Sequence, residues 1–258
     1  MRWTNLLLLL YLLQVPALGQ LHEYAGYITP ISELFDIENG NFHDIQEDWN
    51  GFMWMATNDG LYRFDGTTVK HFTHSRTDSL LPHNQVLDIL VDPDNEEIWL
   101  GTALGLCRLD PANETSVIYQ SKYEDPNSIG DNIVRYVYKD RQGQIWASSF
   151  TQGISLYRPE TDDFQNFHFN VPGVDSIQEV DPTINESRLN SHRFIIQDDV
   201  NDNILWLASP LGLVSFNKEA ATFSWPWARH PQLTALFPNN SVNVIHPMSG
   251  QLLVGTLD

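Results

Sequence analysis

A recurring sequence motif is the feature that most constrains how this chain folds. Each complete copy contains a tryptophan, then a small residue and then a glycine. Four copies cover 42–65, 86–110, 133–157 and 192–216, and a shorter fifth copy starts at Val242. Successive anchor positions are 45, 47, 60 and 47 residues apart, and they are occupied by Trp54, Trp99, Trp146, Trp206 and Leu253. A step of this length is typical of stacked repeats, so the repeat decides the architecture before any single residue does.

Each copy has the short apolar runs of β-strands and lacks the 3.6-residue periodicity of an amphipathic helix. The first copy predicts strands near 42–47, 52–57, 60–64 and 68–73, and the second near 86–91, 97–102, 105–109 and 116–120. Four such strands make one blade, and blades bury their faces by stacking around an axis. The sequence therefore predicts an all-β fold, a β-propeller with blades of four antiparallel strands.

A glycine also recurs, six residues after the tryptophan in three copies and seven residues after it in the third. We expect each glycine to lie in a hairpin turn that needs a positive φ. The structural anchors of the repeat are therefore four tryptophans and four glycines: Trp54, Trp99, Trp146, Trp206, Gly60, Gly105, Gly153 and Gly212.

The segment from Asp48 to Asp65 reads D-x-x-G-x-x-W-x-x-T-x-x-G-L-x-R-x-D, which resembles the two-component regulator propeller repeat of bacterial sensor proteins. The connecting phrases SLLPHNQV, SIGDNIV and SRLNSHR are similar to the inter-blade phrase of that family, and the resemblance covers roughly 25–258. The fourth copy replaces the compact turn by Asp198–Asn203, and the fifth has Pro247 in place of the turn aspartate. We expect distorted turns in those two blades.

Residues 1–19 resemble a secretory signal peptide, with Arg2, an apolar run and a cleavage site near Gly19 and Gln20. The predicted propeller occupies 20–258, with repeats at about 42–74, 86–123, 133–170, 192–227 and 242–258. Four blades and the start of a fifth are fewer than most propellers need to close. We therefore expect an unclosed, N-terminal fragment of a larger propeller.

The formal net charge of −19 disfavours nucleic acid as a partner, because nucleic-acid binding depends on basic groups that neutralise phosphates. A polyanionic ligand would be repelled unless arginine and lysine side chains are concentrated locally. Neutral or weakly charged ligands are easier to accommodate.

No catalytic constellation is visible in the sequence, and we expect no catalytic residues, no metal site and no cofactor. His71 and His74 fall on a predicted strand with their rings on opposite faces. The acidic turns 92–97 and 198–203 hold many oxygens, but a solvated β-turn is favoured there over a calcium site. Cys107 is alone and is interpreted as an apolar strand residue.

Several non-recurring aromatic residues are candidate platforms for a sugar ring, although packing is favoured for each: Trp49, Trp225, Trp227 and Tyr123. Arg63 and Arg108 share one repeat position and are interpreted as structural partners of acidic turn residues. The residues that bind a ligand are not identifiable from the sequence.

The resemblance implies a periplasmic sensory propeller at the N-terminal part of a hybrid two-component histidine kinase. Such receptors commonly detect oligosaccharides and transmit the signal across the inner membrane. The implied partners are an oligosaccharide, the remaining blades and signalling domains of the receptor, and a second copy of the chain. A secreted carbohydrate lyase or glycosidase, and a protein-binding scaffold, remain as alternatives that the fold equally supports.

Overall fold

The computed structural model describes residues 41–75, 80–169, 190–210, 212–225, 242–248 and 251–256. They belong to one compact unit that spans 41–258. The signal peptide predicted for 1–19 lies outside the described residues. None of the described segments forms a helix that is long and apolar enough to cross a membrane.

The described residues form eighteen strands, and all of the strand pairs are antiparallel. Blade 1 contains β1 (Phe42–Glu47), β2 (Met53–Thr57), β3 (Gly60–Phe64) and β4 (Val69–Phe72). Blade 2 contains β5 (Val86–Asp92), β6 (Glu97–Thr102), β7 (Gly105–Asp110) and β8 (Thr115–Tyr119). Blade 3 contains β9 (Val134–Lys139), β10 (Ile145–Ser149), β11 (Ile154–Arg158) and β12 (Asp163–Phe167). Blade 4 contains β13 (Phe194–Gln197), β14 (Ile204–Ser209), β15 (Gly212–Asn217) and β16 (Thr222–Ser224), while β17 (Val242–Met248) pairs with β18 (Gln251–Thr256).

The first strand of each sheet lies innermost. Strands β1, β5, β9, β13 and β17 contact one another in that order, while the later strands of each sheet follow outward. This radial arrangement confirms the predicted propeller. Among the described strands, β17 makes no comparable contact with β1, so the five sheets do not close into a ring.

Apolar side chains fill the space between neighbouring blades. Trp54 and Leu61 of blade 1 share a buried cluster with Ile98 of blade 2, and Trp99 of blade 2 does the same with Val137 of blade 3. Because a large aromatic side chain buries about 150–250 Å², these clusters hold adjacent sheets together. Each of these blades therefore shares part of its core with its neighbour.

The observed strand ends of the first two blades differ by at most one residue from those expected. One difference is a correction: β4 ends at Phe72, so His74 lies beyond the strand instead of on its face. There the His74 Nδ1 atom contacts the carbonyl oxygen of Leu81 at 2.7 Å, while His71 stacks on Tyr62 with ring centres 4.0 Å apart.

Candidate functional site at the propeller axis

Most of the inner strands pair irregularly with the second strands of their blades. The pairing register shifts between Phe42 and Asp44 in β1, and equivalent shifts occur in β5, β9 and β17. A bulge of this kind re-aims one side chain away from the regular ladder. The same repeat position is occupied by His43, Leu87, Arg135, Arg193 and Asn243 on the five successive blades, and in blade 4 it immediately precedes β13.

An axial cavity of about 430 Å³ lies among the inner strands of four blades. Its lining includes His43 and Asp44 from blade 1, Asp88 from blade 2, Arg135 from blade 3 and Arg193 from blade 4. We call this cavity the axial site. Polar groups from four separate sheets meet there because the propeller brings the same position of each inner strand to the axis.

Two carboxylates occupy one side of the axial site and also join the blades. Asp44 accepts a hydrogen bond from the backbone N–H of Ile89 at 3.2 Å, and Asp88 accepts one from Val137 at 2.6 Å. Asp88 is only 6% exposed. Burial raises the pKa of the Asp88 carboxyl, the Val137 hydrogen bond opposes this, and the charge of Asp44 raises the pKa further.

Basic groups occupy the other side. The guanidinium of Arg135 lies over the ring of Phe150, 4.2 Å from its centre. Arg193 donates from Nη1 to Oδ1 of Asn243 on the next inner strand, but its Nε atom and the Nδ2 atom of Asn243 are buried without a hydrogen-bond partner. Burial lowers the pKa of Arg135, and the positive charge of Arg193 lowers it further.

The site can therefore hold a small polar ligand between an acceptor side and a donor side. No group of three or more His, Cys, Asp or Glu side chains within the described segments could hold a metal ion. The acidic turns at 92–97 and 198–203 use their aspartates internally: Asp92 pairs with Lys139 at 2.6 Å, and Asp198 accepts the Trp206 indole N–H at 2.7 Å.

The anchor tryptophans lie between the blades, away from the axial site. Trp54 and Trp146 are at most 1% exposed, and each donates its indole N–H to the turn aspartate six residues earlier, Asp48 at 2.8 Å and Asp140 at 3.0 Å. Trp99 is equally buried, but its indole nitrogen has no partner. The equivalent Asp92 is engaged by Lys139 instead.

The fourth blade corrects the expectation of a distorted turn. Its turn is two residues longer, yet Asp198 accepts backbone N–H groups from Val200 and Asn201 as well as the Trp206 indole N–H. A longer loop satisfies the same carboxylate, so the insertion does not break the link between turn and tryptophan. The side chain of Pro247 lies outside the described part.

The anchor glycines all have positive φ: 119° at Gly60, 125° at Gly105, 80° at Gly153 and 109° at Gly212. Gly153 shows why a side chain is not accommodated. A Cβ atom there would lie 2.2 Å from the carbonyl oxygen of Phe167. The glycine lets the hairpin of blade 3 approach its outer strand.

Arg63 and Arg108 pair with acids in the outer turn of the following blade. Arg63 lies 3.9 Å from Glu114, and Arg108 lies 3.7 Å from Asp162. Blade 3 has Leu156 in place of the arginine, and blade 4 has Ala221 in place of the acid that would pair with it. These two acids were not predictable from the sequence, because each lies one repeat away from its arginine.

The candidate aromatic platforms are dispersed. Trp49 and Trp225 are half-buried against core clusters, and Trp225 follows β16 instead of lying within it. Tyr123 is fully exposed, and Trp227 lies outside the described residues. Burial raises the pKa of the Cys107 thiol to about 12. None of these residues lines the axial site.

Sequence reasoning also missed Arg135 and Arg193. They occupy a repeat position whose residue differs in every blade, so no pattern marks it. Only their position could have identified them, because residues at the start of each innermost strand lie near the axis of a propeller.

Comparison with known proteins gives a family match for one segment and a fold for the chain. Residues 80–103 match the family model described as two component regulator propeller, which confirms the resemblance for that segment. The search of curated proteins found no match. Among solved structures, the chain is similar to one described as the extracellular domain of the hybrid two component system BT3049 from B. thetaiotaomicron, with 22% identity and a TM-score of 0.66 over 85% of this chain and 28% of that chain.

Two other structures have the same fold at lower identity. One is described as the extracellular domain of the one component system BT4673 from B. thetaiotaomicron, with 14% identity, a TM-score of 0.52, and 86% of this chain and 31% of that chain covered. The other is a catalytically inactive virginiamycin B lyase from Staphylococcus aureus, with 14% identity and a TM-score of 0.58 over 84% of this chain and 64% of that chain. The chain thus spans less than a third of the length of these sensor domains. It carries a two-component regulator propeller repeat on a β-propeller fold that sensor domains and enzymes share.

Proposed function

We propose that this chain forms part of the periplasmic sensory region of a hybrid two-component receptor and that it binds an oligosaccharide at the axial site. One observation carries the proposal. The recurring residues of the chain build the blades, whereas the non-recurring residues His43, Arg135 and Arg193 line one cavity. Variable polar residues on a repeated, rigid scaffold are typical of a recognition site.

The size and chemistry of the cavity support a small ligand. Its volume of about 430 Å³ falls within the range of small-molecule sites. Carboxylates, guanidiniums and a histidine can all hydrogen-bond to hydroxyl groups. A ligand held by four blades would favour one relative arrangement of those blades, which is how binding energy would bias a coupled receptor. The proposed partners are the other receptor domains and a second receptor chain.

A carbohydrate-cleaving enzyme is the second candidate, because an enzyme such as the lyase neighbour can have this fold and because Asp44 and Asp88 both line the cavity. Glycoside hydrolysis does use a pair of carboxylates. In this chain, however, each carboxylate accepts a backbone N–H from the next blade, and Asp88 is almost fully buried. These contacts favour a structural role for the pair.

Thermal unfolding of the purified chain against a panel of oligosaccharides, followed by mass spectrometry of the same samples, separates the two candidates. The sensor proposal predicts that at least one oligosaccharide raises the midpoint of unfolding and is recovered intact. Cleaved products that disappear in an Asp88→Asn variant would favour the enzyme. A panel that leaves the midpoint unchanged throughout would count against binding at this site.

A further inference from the structure

We propose that the axial site selects acidic oligosaccharides and that Arg135 and Arg193 together bind the carboxylate or sulfate group of the ligand. This inference rests on the proposed function, because it names the ligand class of the same cavity.

Arg135 and Arg193 differ from every other arginine that the structure describes. Arg63, Arg108, Arg141 and Arg158 each lie within 4.0 Å of a carboxylate oxygen. Across the described segments, Arg135 and Arg193 have no such partner, although acidic residues outnumber basic ones by 33 to 14 in the chain. In so acidic a protein, two unpaired guanidiniums on adjacent inner strands leave a local excess of positive charge.

The hydrogen-bonding groups on this side are donors. The guanidinium of Arg135 makes no hydrogen bond within the described residues and only rests on Phe150. Arg193 Nε and Asn243 Nδ2 are buried donors without acceptors, while the one acceptor, Asn243 Oδ1, is already used by Arg193. A buried donor without an acceptor is unfavourable, because its lost hydrogen bond to water is not replaced. Within the cavity itself, the unused N–H groups of the Arg135 guanidinium match a ligand group that only accepts hydrogen bonds.

The two positive charges also disfavour each other. The charge of Arg193 lowers the pKa of Arg135 in addition to the effect of burial. A bound anion would reverse that unfavourable interaction, since a guanidinium forms its strongest contacts with carboxylate, phosphate or sulfate oxygens. The net charge of −19 would repel anions elsewhere, so the arginine pair supplies the local concentration of positive charge that an anionic ligand needs.

The opposite side of the cavity fits the rest of a sugar acid. His43 is exposed there, and Asp44 is half-buried. Their acceptor atoms suit the hydroxyl groups of a sugar ring. An acidic sugar presents both features at once, an anionic group and a set of hydroxyl donors. A free inorganic anion would use only the arginine side.

Calorimetric titration of the whole chain tests the proposal. The probes are trigalacturonate and a sulfated galactan oligosaccharide, each with its neutral counterpart, namely the methyl-esterified and the desulfated form. The variants are Arg135→Gln, Arg193→Gln and Arg135→Lys, with Lys122→Gln as the control, because Lys122 is exposed outside the site and its replacement causes the same charge change. Unchanged strand content in each variant excludes misfolding.

We expect an acidic probe to bind, with affinity that falls as salt is added. Arg135→Gln and Arg193→Gln should each weaken binding by about tenfold or more, Arg135→Lys should weaken it less, and Lys122→Gln should leave it unchanged. Whether the carboxylate or the sulfate probe binds identifies the anion. Binding of a neutral probe that is insensitive to both arginine variants would overturn this inference and leave the proposed function standing. Failure of all four probes would overturn both.

Discussion

At the scale of single residues, the turn aspartate links backbone, tryptophan and neighbouring blade. Asp140 accepts the backbone N–H groups of Gln142 and Gln144, the indole N–H of Trp146 and the ammonium of Lys218 from blade 4. The sequence marked the aspartate as a turn residue and the tryptophan as an anchor. It did not indicate that one carboxylate serves both, because that contact is formed only after the hairpin folds.

Replacing Asp140 by alanine should destabilise the chain by about 3–5 kcal/mol, since it removes the carboxylate partner of the Lys218 ammonium and leaves the buried Trp146 indole N–H without its acceptor. The Oε1 atom of Gln142 remains as an acceptor for Lys218. Urea unfolding measures this as a fall in the free energy of unfolding. Asp94→Ala is the matched control, because the Asp94 side chain is 79% exposed, and its removal should change that free energy by no more than about 0.5 kcal/mol. Equal losses in the two variants would show that the inter-blade contact of Asp140 adds nothing.

His192 is a second residue whose role depends on burial. It is fully buried, neither ring nitrogen has a hydrogen-bond partner, and burial lowers its pKa to about 3. The same repeat position holds Val86 and Val134, both fully buried. Below about pH 6.5 the unfolded chain binds a proton at this histidine, whereas the folded chain does not. The histidine therefore makes the free energy of unfolding fall as the pH falls from about 6.5 towards 3.

His192→Val should raise the free energy of unfolding and remove a pH dependence of up to about 1.4 kcal/mol per pH unit between pH 6 and pH 4. Asp88, whose pKa is raised, contributes with the opposite sign in both proteins, so the difference between wild type and variant isolates the histidine. Urea unfolding at several pH values measures it. A His192→Val slope that matches wild type would contradict the account.

At the scale of elements, the hairpin between the second and third strands limits how closely a blade can be built. Thr57 and Thr102 donate their hydroxyl groups to the carbonyl oxygens of Gly60 and Gly105 in this hairpin. Its glycine was predictable from the repeat, because a positive φ leaves a mark in the sequence. The Arg108 and Asp162 pair was not predictable in the same way, since it joins two hairpins of different blades.

Gly153→Ala and Gly143→Ala compare two glycines with the same φ of 80° but different surroundings. At Gly153 a Cβ atom would meet the Phe167 carbonyl oxygen at 2.2 Å, whereas at Gly143 the nearest atom is a Lys139 side-chain carbon at 3.8 Å. Both variants should lose about 1 kcal/mol from backbone strain, and Gly153→Ala about 1–3 kcal/mol more. Thermal unfolding should rank them in that order. The reverse order would contradict the close approach in blade 3.

At the scale of the whole molecule, the architecture was available from the sequence and the axial site was not. The fixed spacing of the tryptophans and the short apolar runs predicted four-stranded blades, and the observed strands of the first two blades lie within two residues of the predicted bounds. No local sequence pattern marks Arg135 and Arg193, because they come together only when blades 3 and 4 place the same repeat position at a common axis. The residues that stack between blades recur in the sequence and are therefore predictable, while the residues that line the axial site differ from blade to blade.

The central claim is that the axial site is where this chain binds its ligand. Amide hydrogen exchange, measured with and without an oligosaccharide that binds the chain, tests it most directly. The account predicts slower exchange in the inner strands β9 (Val134–Lys139) and β13 (Phe194–Gln197) when the ligand is bound, with the outer strands β8 and β12 unchanged. Protection confined to the outer strands, or to the turns between blades, would contradict it.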